Sequence, residues 1–438
     1  MKTKLIIYTL LITLATTNII NYKPNLEFTK MEINSKIDER DRYLWDTTVK
    51  KYLTDALWTD RDIYDAGHCL MVPLHASFYL KEEKWQIEFS NHFRRFIEAN
   101  HKKENNISGG RLNRLHYLYL ASRFVVLAQE AGKPELIPSE LTDLIYEEIE
   151  KIWIKEPAWQ WDRQSFNGGI RERILWKLEN KNVDKSYYKA IIDEELFSFA
   201  IAADLRTYER LTKPKKQWSI VLTDILEIAY KTFEQEGKLQ NEGGWLFQPG
   251  VWRDHPDYAF AGQTMKKIGM KSYPISNIAM DTSHSHRFPL WLTSLETAYE
   301  NGCPEKEFYL NIKRELEQQF FNKVLVYPTK NFAAYRTKNF MDGSNGVYRW
   351  QYSTTAKDGY GPYELSGTLT LGWWVFLNTD RIKNVYKYMS LCYPLPKNVI
   401  KIYTGPNTTR ERNPYVKWPE FLNNGYSELI SRLASKLP

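Results

Sequence analysis

Leu112-Asn-Arg-Leu-His-Tyr-Leu-Tyr-Leu-Ala-Ser-Arg-Phe-Val-Val-Leu-Ala-Gln-Glu-Ala131, followed by Gly132-Lys-Pro134, decides the fold class of this chain. Its apolar residues recur at helical spacing with no Gly or Pro inside. The Gly and Pro that follow form a clear stop signal. The same pattern repeats along the first two thirds of the chain. Amphipathic spacing predicts helices over Tyr43–Leu57, His68–Leu80, Trp85–Ala99, Ile170–Leu178, Ser186–Leu211, Trp218–Gln235, Pro289–Glu300 and Pro304–Phe321. Ser139–Trp153 opens with the makings of a capping box, with Glu140 and Asp143 in its first turn.

Strand signals are confined to short pieces such as Lys323–Tyr327 and Val399–Tyr403. Loops rich in Gly, Trp and Tyr separate the helices at Trp159–Gly169, Gly243–Gly269 and Asp342–Gly367, and a polar break falls at Asn105–Gly110. At 438 residues the chain is long for one ordinary core, yet no Pro/Ser-rich linker divides it. Successive helical hairpins closing into one large unit resolve that tension. The expectation is a mainly all-α fold, an (α/α) barrel or toroid with long Gly/Tyr/Trp-rich loops. It should span residues 23–438 as one domain, with a Pro-containing wrap-around tail from about 394.

The N-terminus reads as an export leader over residues 1–22. Lys2 and Lys4 precede an apolar run shorter than the ~20 residues a membrane span needs. A cleaved leader or a retained anchor fits; in both cases the protein is exported, to the periplasm or beyond, and no later segment could span a bilayer. Cys69, Cys303 and Cys392 form neither a disulfide framework nor a metal pair by spacing. Net charge is +7, but acidic and basic residues interleave, and the longest basic cluster, Lys213-Pro-Lys215-Lys216, is short. Nothing resembles a nucleic-acid stripe. Fifteen Trp, 29 Tyr and 20 Phe, many in polar loops, suit sugar-binding platforms.

Chemistry concentrates in a few stretches. Asp281-Thr-Ser-His284-Ser-His286-Arg287 places a carboxylate, two imidazoles and a guanidinium before a helix that Pro289 helps to start. Asn345, Tyr348, Arg349 and Tyr352 share a Gly-punctuated loop that runs on through Tyr360 to Glu364. His68 and His75 are seven apart, so on a helix they share a face; there they act in a site or are held between helices. Trp159 and Trp161, with Asp162 and Arg163, could stack on sugar rings or pack in the core. Trp245, Trp252, Arg253, Asp254 and His255 form a weaker cluster. The chain has no P-loop, no dinucleotide fingerprint, no HExxH, no CxxC pair and no GxSxG elbow. The reading therefore calls for no cofactor and no metal.

With its exported helical chain, its His–Arg loop before a helix and its Asn345/Tyr348/Arg349/Tyr352 loop, the chain resembles carbohydrate-active (α/α)-toroid enzymes. The closest character is that of polysaccharide lyases and uronyl C5-epimerases, over roughly residues 40–390. The resemblance implies an acidic, uronate-containing polysaccharide as substrate. Such enzymes take the C5 proton while donors neutralise the adjacent carboxylate. Arg287 or Arg349 with Asn345 would be those donors, His284 or His286 the base, and Tyr348 or Tyr352 the acid; Tyr360, Trp159, Trp161 and His68 would hold the glycan. Two other readings stay open. An inverting glycoside hydrolase would need paired carboxyls about 6.5–9.5 Å apart, drawn from Asp281, Asp342, Asp358, Glu364, Asp65 and Asp162. A noncatalytic glycan-binding protein would use the aromatics alone.

Overall fold

The Arg111–Glu130 stretch is a helix in the computed structural model, which describes residues 36–59, 61–101, 110–161, 165–180, 182–213, 218–406, 408 and 410–438. Every residue from Leu115 to Val126 is buried, so this is a central helix with no solvent face. It ends at Gly132, whose φ of +69° carries no penalty only without a Cβ. The expected leader at 1–22, residues 105–109 of the polar break, Asp162, Arg163, Lys215 and Lys216 lie outside the described residues.

The fold is mainly helical, 59% helix and 5% strand. Among the described residues the strands form three two-stranded antiparallel pairs: Ala158–Trp159 with Ser165–Phe166, Gly237–Leu239 with Trp245–Phe247, and Leu325–Val326 with Arg336–Thr337. Helices at Glu83–His101, Gly169–Glu179, Ile220–Glu236, Phe288–Thr297 and Pro304–Gln319 fall within a few residues of the periodicity.

Elsewhere the chain departs from the simple pattern for local reasons. Tyr43–Leu57 breaks at Thr48 into Glu39–Thr47 and Val49–Tyr52, and the Thr48 hydroxyl turns back onto the Leu44 carbonyl. His68–Leu80 divides into Asp62–Cys69 and Met71–Tyr79. The capping box at Ser139 does not form: Glu140 is left-handed, at φ +70°, and the helix runs from Leu141 to Glu150 without a side-chain cap. The helix expected from Ser186 begins at Asp193, after a 3₁₀ turn at Ser186–Lys189. Val399–Tyr403 is no strand; it lies in the helix Lys397–Thr404, with Val399 and Tyr403 buried one turn apart. The stretch beyond 394 is built into the core, because Tyr426–Ala434 packs on Glu39–Thr47, Met71–Tyr79 and Asp380–Leu391.

Packing partners follow a circuit. Asp62–Cys69 lies against Arg111–Glu130, which lies against Asp193–Thr212; that helix lies against Phe288–Thr297, and the latter against the 3₁₀ segment Trp373–Leu377. The Trp373 indole then donates to the His68 carbonyl at 2.9 Å, back on the first helix. Glu83–His101, Leu141–Glu150, Ile220–Glu236 and Pro304–Gln319 form a second row. They pack on Met71–Tyr79, Arg111–Glu130, Asp193–Thr212 and Phe288–Thr297 respectively. The second-row helices are amphipathic, and those of the first row are buried nearly all round. Among the described residues no helix is long and apolar enough to cross a membrane, and the three cysteines are free.

Candidate active site

Asp281 is the N-cap of the short turn Thr282–Ser285, and Arg287 leads directly into Phe288–Thr297 with Pro289 in its first turn. The Asp281 carboxylate is fully buried and crowded with donors. It accepts the amide N–H groups of Ser283 (3.1 Å) and His284 (3.2 Å), the Ser283 hydroxyl, the Tyr258 hydroxyl (2.9 Å) and His284 Nδ1 (2.8 Å). Burial alone would raise its pKa, but His284, Arg349 and the Ser283 hydroxyl outweigh burial and hold it far below the usual carboxylate range. A fixed anion at Nδ1 assigns the proton to that nitrogen and leaves the Nε2 lone pair for the cavity. The His284 side chain is 26% exposed, so its ring reaches that cavity.

Two cavities, of about 230 and 300 Å³, share His284, Tyr348 and Arg349 in their walls. The loop bearing Tyr348 and Arg349 is tied to the Asp281 segment by the Asp281–Phe340 bridge and by the Thr282 amide donating to the Asn339 carbonyl at 2.9 Å. Asn339, wholly buried, staples the loop by donating to the carbonyls of Gly346 (2.8 Å) and Gly361 (2.9 Å). Arg349, Gln351, Ala356, Lys357 and Tyr363 all have φ between +50° and +70°. Such a concentration of left-handed non-glycine residues marks a backbone held by its surroundings. The Arg349 Nε donates to Asp257 at 2.8 Å, and its guanidinium lies 5.0 Å from the Tyr348 ring centre and 4.8 Å from that of Tyr352. Its terminal nitrogens have no acceptor among the described residues. Burial works against its charge, but Tyr348, Asp257 and Asp281 prevail and fix it as a cation.

The other expected polar groups are already occupied or enclosed. Arg287 donates to Asp193 (2.6 Å), to His68 Nε2 (3.0 Å) and to the Tyr64 hydroxyl (3.1 Å), so it organises the wall and has little left to offer a substrate carboxylate. His68 is used at both nitrogens, since Nδ1 donates to the Tyr64 carbonyl at 3.1 Å while Nε2 accepts from Arg287. His286 is 1% exposed with neither nitrogen partnered; burial, then Arg287, pushes its pKa well down and keeps it neutral. Of the two imidazoles in the stretch, only His284 has an orienting carboxylate. Asn345 is a loop staple outside both cavities, its Oδ1 accepting the amides of Asn339 (3.2 Å) and Tyr363 (3.0 Å). His75 accepts from Arg123 at 3.4 Å, also away from the cavities.

Tyr352 and Tyr360 line the smaller cavity. Tyr348 is buried, and burial, which outweighs the opposing effect of Arg349, keeps its hydroxyl protonated. Trp161 walls the larger cavity together with Trp252 and Tyr258. Trp159 stands half exposed outside the walls, edge-on to Trp161 at 6.1 Å. The sequence reading missed Tyr258 and Asp257, which hold Asp281 and Arg349, and Arg61 and Arg412 on the far wall. The cluster ending at His255 was the only local signal for the first pair.

The carboxyls offered for a hydrolase are committed elsewhere. Asp342 lines neither cavity and accepts the amides of Ser344 (2.7 Å) and Ala279 (3.1 Å). Asp358 and Glu364 share the Lys266 ammonium at 3.1 and 2.9 Å. Among the described residues no group of three or more His, Cys, Asp or Glu could hold a metal ion. Compared with protein-family models, with curated proteins and with solved structures, the chain matches none.

Proposed function

We propose that this chain is an (α/α)-toroid enzyme acting on a uronate-containing polysaccharide by abstraction of the C5 proton. That step leads to β-elimination or, with the proton returned to the other face, to epimerisation. The observation that carries the reading is the Asp281–His284 pair, which presents Nε2 to a cavity beside an arginine with unspent N–H groups. The circuit of helices from Asp62–Cys69 back to His68 supports the toroid.

The C5 proton of a uronate is weakly acidic because the neighbouring carboxylate can take up charge as an enolate. Arg349 is suited to neutralise that carboxylate, and donors aimed at developing charge are commonly worth about 10²–10³ in rate. His284 Nε2 accepts the proton, and Asp281 stabilises the imidazolium that results; general-base catalysis contributes roughly 10²–10⁴. Tyr348, which keeps its proton, can deliver it to the leaving oxygen, with Tyr352 beside Arg349 as the second candidate. Hydrolysis by inversion would instead need one carboxyl to activate water and another to protonate the leaving group. The carboxyls around this cavity already serve Lys266, His284 and arginines. The apolar run after Lys2 and Lys4 supports a periplasmic or secreted enzyme.

The test is ultraviolet absorbance during incubation with a panel of acidic polysaccharides. Growth of the unsaturated-uronate band with wild-type protein, lost in His284→Ala, supports elimination. New reducing ends without that band overturn it.

A further inference from the structure

Among the described residues, each arginine or lysine that pairs along the two cavities has a carboxylate of its own except at one end. At the waist Arg349 faces Asp257 and His284 faces Asp281. In the larger cavity Asp193 is paired with Arg287, and Glu194 with Arg111 and Arg173. The smaller cavity ends differently. Arg61 and Arg412 both lean on one carboxylate, that of Asp65, at 3.3 and 3.5 Å, from opposite oxygens. The Arg61 Nε–H is buried and has no hydrogen-bond partner, the Arg412 Nε meets Asp65 Oδ2 only at 3.5 Å, and Arg410 adds a third guanidinium to the same wall.

Two guanidiniums sharing one carboxylate leave a net positive charge, and buried donors without acceptors are costly unless something fills them. Arg61 is also braced, its guanidinium 3.9 Å from the Tyr64 ring centre. Asp65 is 4% exposed, so it holds the two arginines in place without neutralising both. The opposite end, with Trp161, Trp252 and Tyr258, offers ring faces and, among the described residues, no spare cation.

Building on the uronate reading, we infer that the Arg61–Arg412 wall is a second anion subsite, which receives the acidic group of a sugar neighbouring the uronate that reacts at His284 and Arg349. The substrate then carries negative charge on more than one sugar, and the chain lies with its anionic neighbour toward Arg61 and Arg412. The acidic group is a carboxylate of a second uronate or a sulfate ester; both present oxygens that a guanidinium fork fits.

Binding can be separated from turnover in the His284→Ala protein. Calorimetry would use an oligo-uronate tetrasaccharide, a tetrasaccharide alternating uronate with a sulfated sugar, and one alternating uronate with an uncharged sugar. Adding Arg412→Gln should weaken binding of one or both polyanionic probes by about ten- to a hundredfold, as expected for a lost charge-assisted hydrogen bond. It should leave the probe whose uronates have uncharged neighbours within about twofold. Loss on the oligo-uronate alone identifies a carboxylate, and loss on the sulfated probe alone a sulfate. Arg61→Gln is the second variant if Arg412→Gln melts early. Equal affinities for all three probes in both variants overturn the subsite while leaving uronate chemistry standing. Wild-type protein that neither binds nor turns over any of the three overturns both readings.

Discussion

Asp281→Asn is the most informative single change, because the amide's orientation can be worked out from the donors around it. One oxygen, Oδ1, takes the amide N–H groups of Ser283 and His284 and the Ser283 hydroxyl; the other, Oδ2, takes the Tyr258 hydroxyl at 2.9 Å; His284 Nδ1 bridges the two, at 2.9 Å from Oδ1 and 2.8 Å from Oδ2. An asparagine must keep its oxygen toward the two backbone donors, since turning the NH₂ toward them would leave buried N–H groups facing one another, at roughly 1–3 kcal/mol each. The NH₂ therefore takes the place of Oδ2 beside His284 Nδ1, which keeps one acceptor oxygen where it had two and gains a repelling donor. The tautomer that leaves the Nε2 lone pair free is disfavoured, and no anion remains to stabilise the imidazolium. Capping is retained, but the folded state loses the interactions that favour the buried anion, so Tm should fall. Turnover should fall by about 10²–10⁴, equivalent to roughly 3–5.5 kcal/mol of barrier, with KM little changed. The assay is the initial rate of uronate conversion across substrate concentrations, alongside a thermal melt. A kcat within threefold of wild type, in a protein still folded at the assay temperature, would refute the orientation argument.

Arg349→Lys keeps the charge but loses the planar fork, and kcat should fall about 10²–10³-fold; equal kcat would show that the guanidinium does not meet developing charge. Four buried histidines, His68, His92, His116 and His286, and the part-buried His75 have pKa values lowered chiefly by desolvation, His92 to about 4. The unfolded chain titrates near 6.5 and takes up protons that the folded chain refuses, so stability is full above that pH and drains as pH falls. His92 alone accounts for about 3 kcal/mol between pH 6.5 and 4, and Tm should drop steeply over that window; a flat Tm there contradicts these burials. Gly346→Ala would drive a Cβ into the Ala261 carbonyl, costing about 1–3 kcal/mol and loosening the loop that carries Arg349. Its Tm should fall by several degrees, and an unchanged melt would show that the two loops do not touch so closely.

Helices were legible wherever apolar residues kept a 3.6-residue period, as in Arg111–Glu130 and Pro304–Gln319. Val399–Tyr403 misled because β-branched residues suggested a strand, while the burial of Val399 and Tyr403 follows a helical turn. At the site, Asp281 could be recognised as a cap and His284 as its neighbour, because both lie within one short turn. What sequence could not show is whether a polar group is already spent. Arg287 and Asn345 have the residue types for a uronate site, yet one is locked to Asp193 and the other staples a loop. Nor could it show that Tyr258 meets Asp281, that Asp257 meets Arg349, that Arg61 and Arg412 wall the same cavity as His284, or that Arg349 sits left-handed at φ +53°.

The central claim is removal of the C5 proton by His284, and the direct measurement is nuclear magnetic resonance of uronate polymers treated with the protein in deuterated water. The account predicts an unsaturated uronate or deuterium at C5, and neither with His284→Ala. New reducing ends with C5 still fully protonated, or products undiminished in His284→Ala, would contradict it.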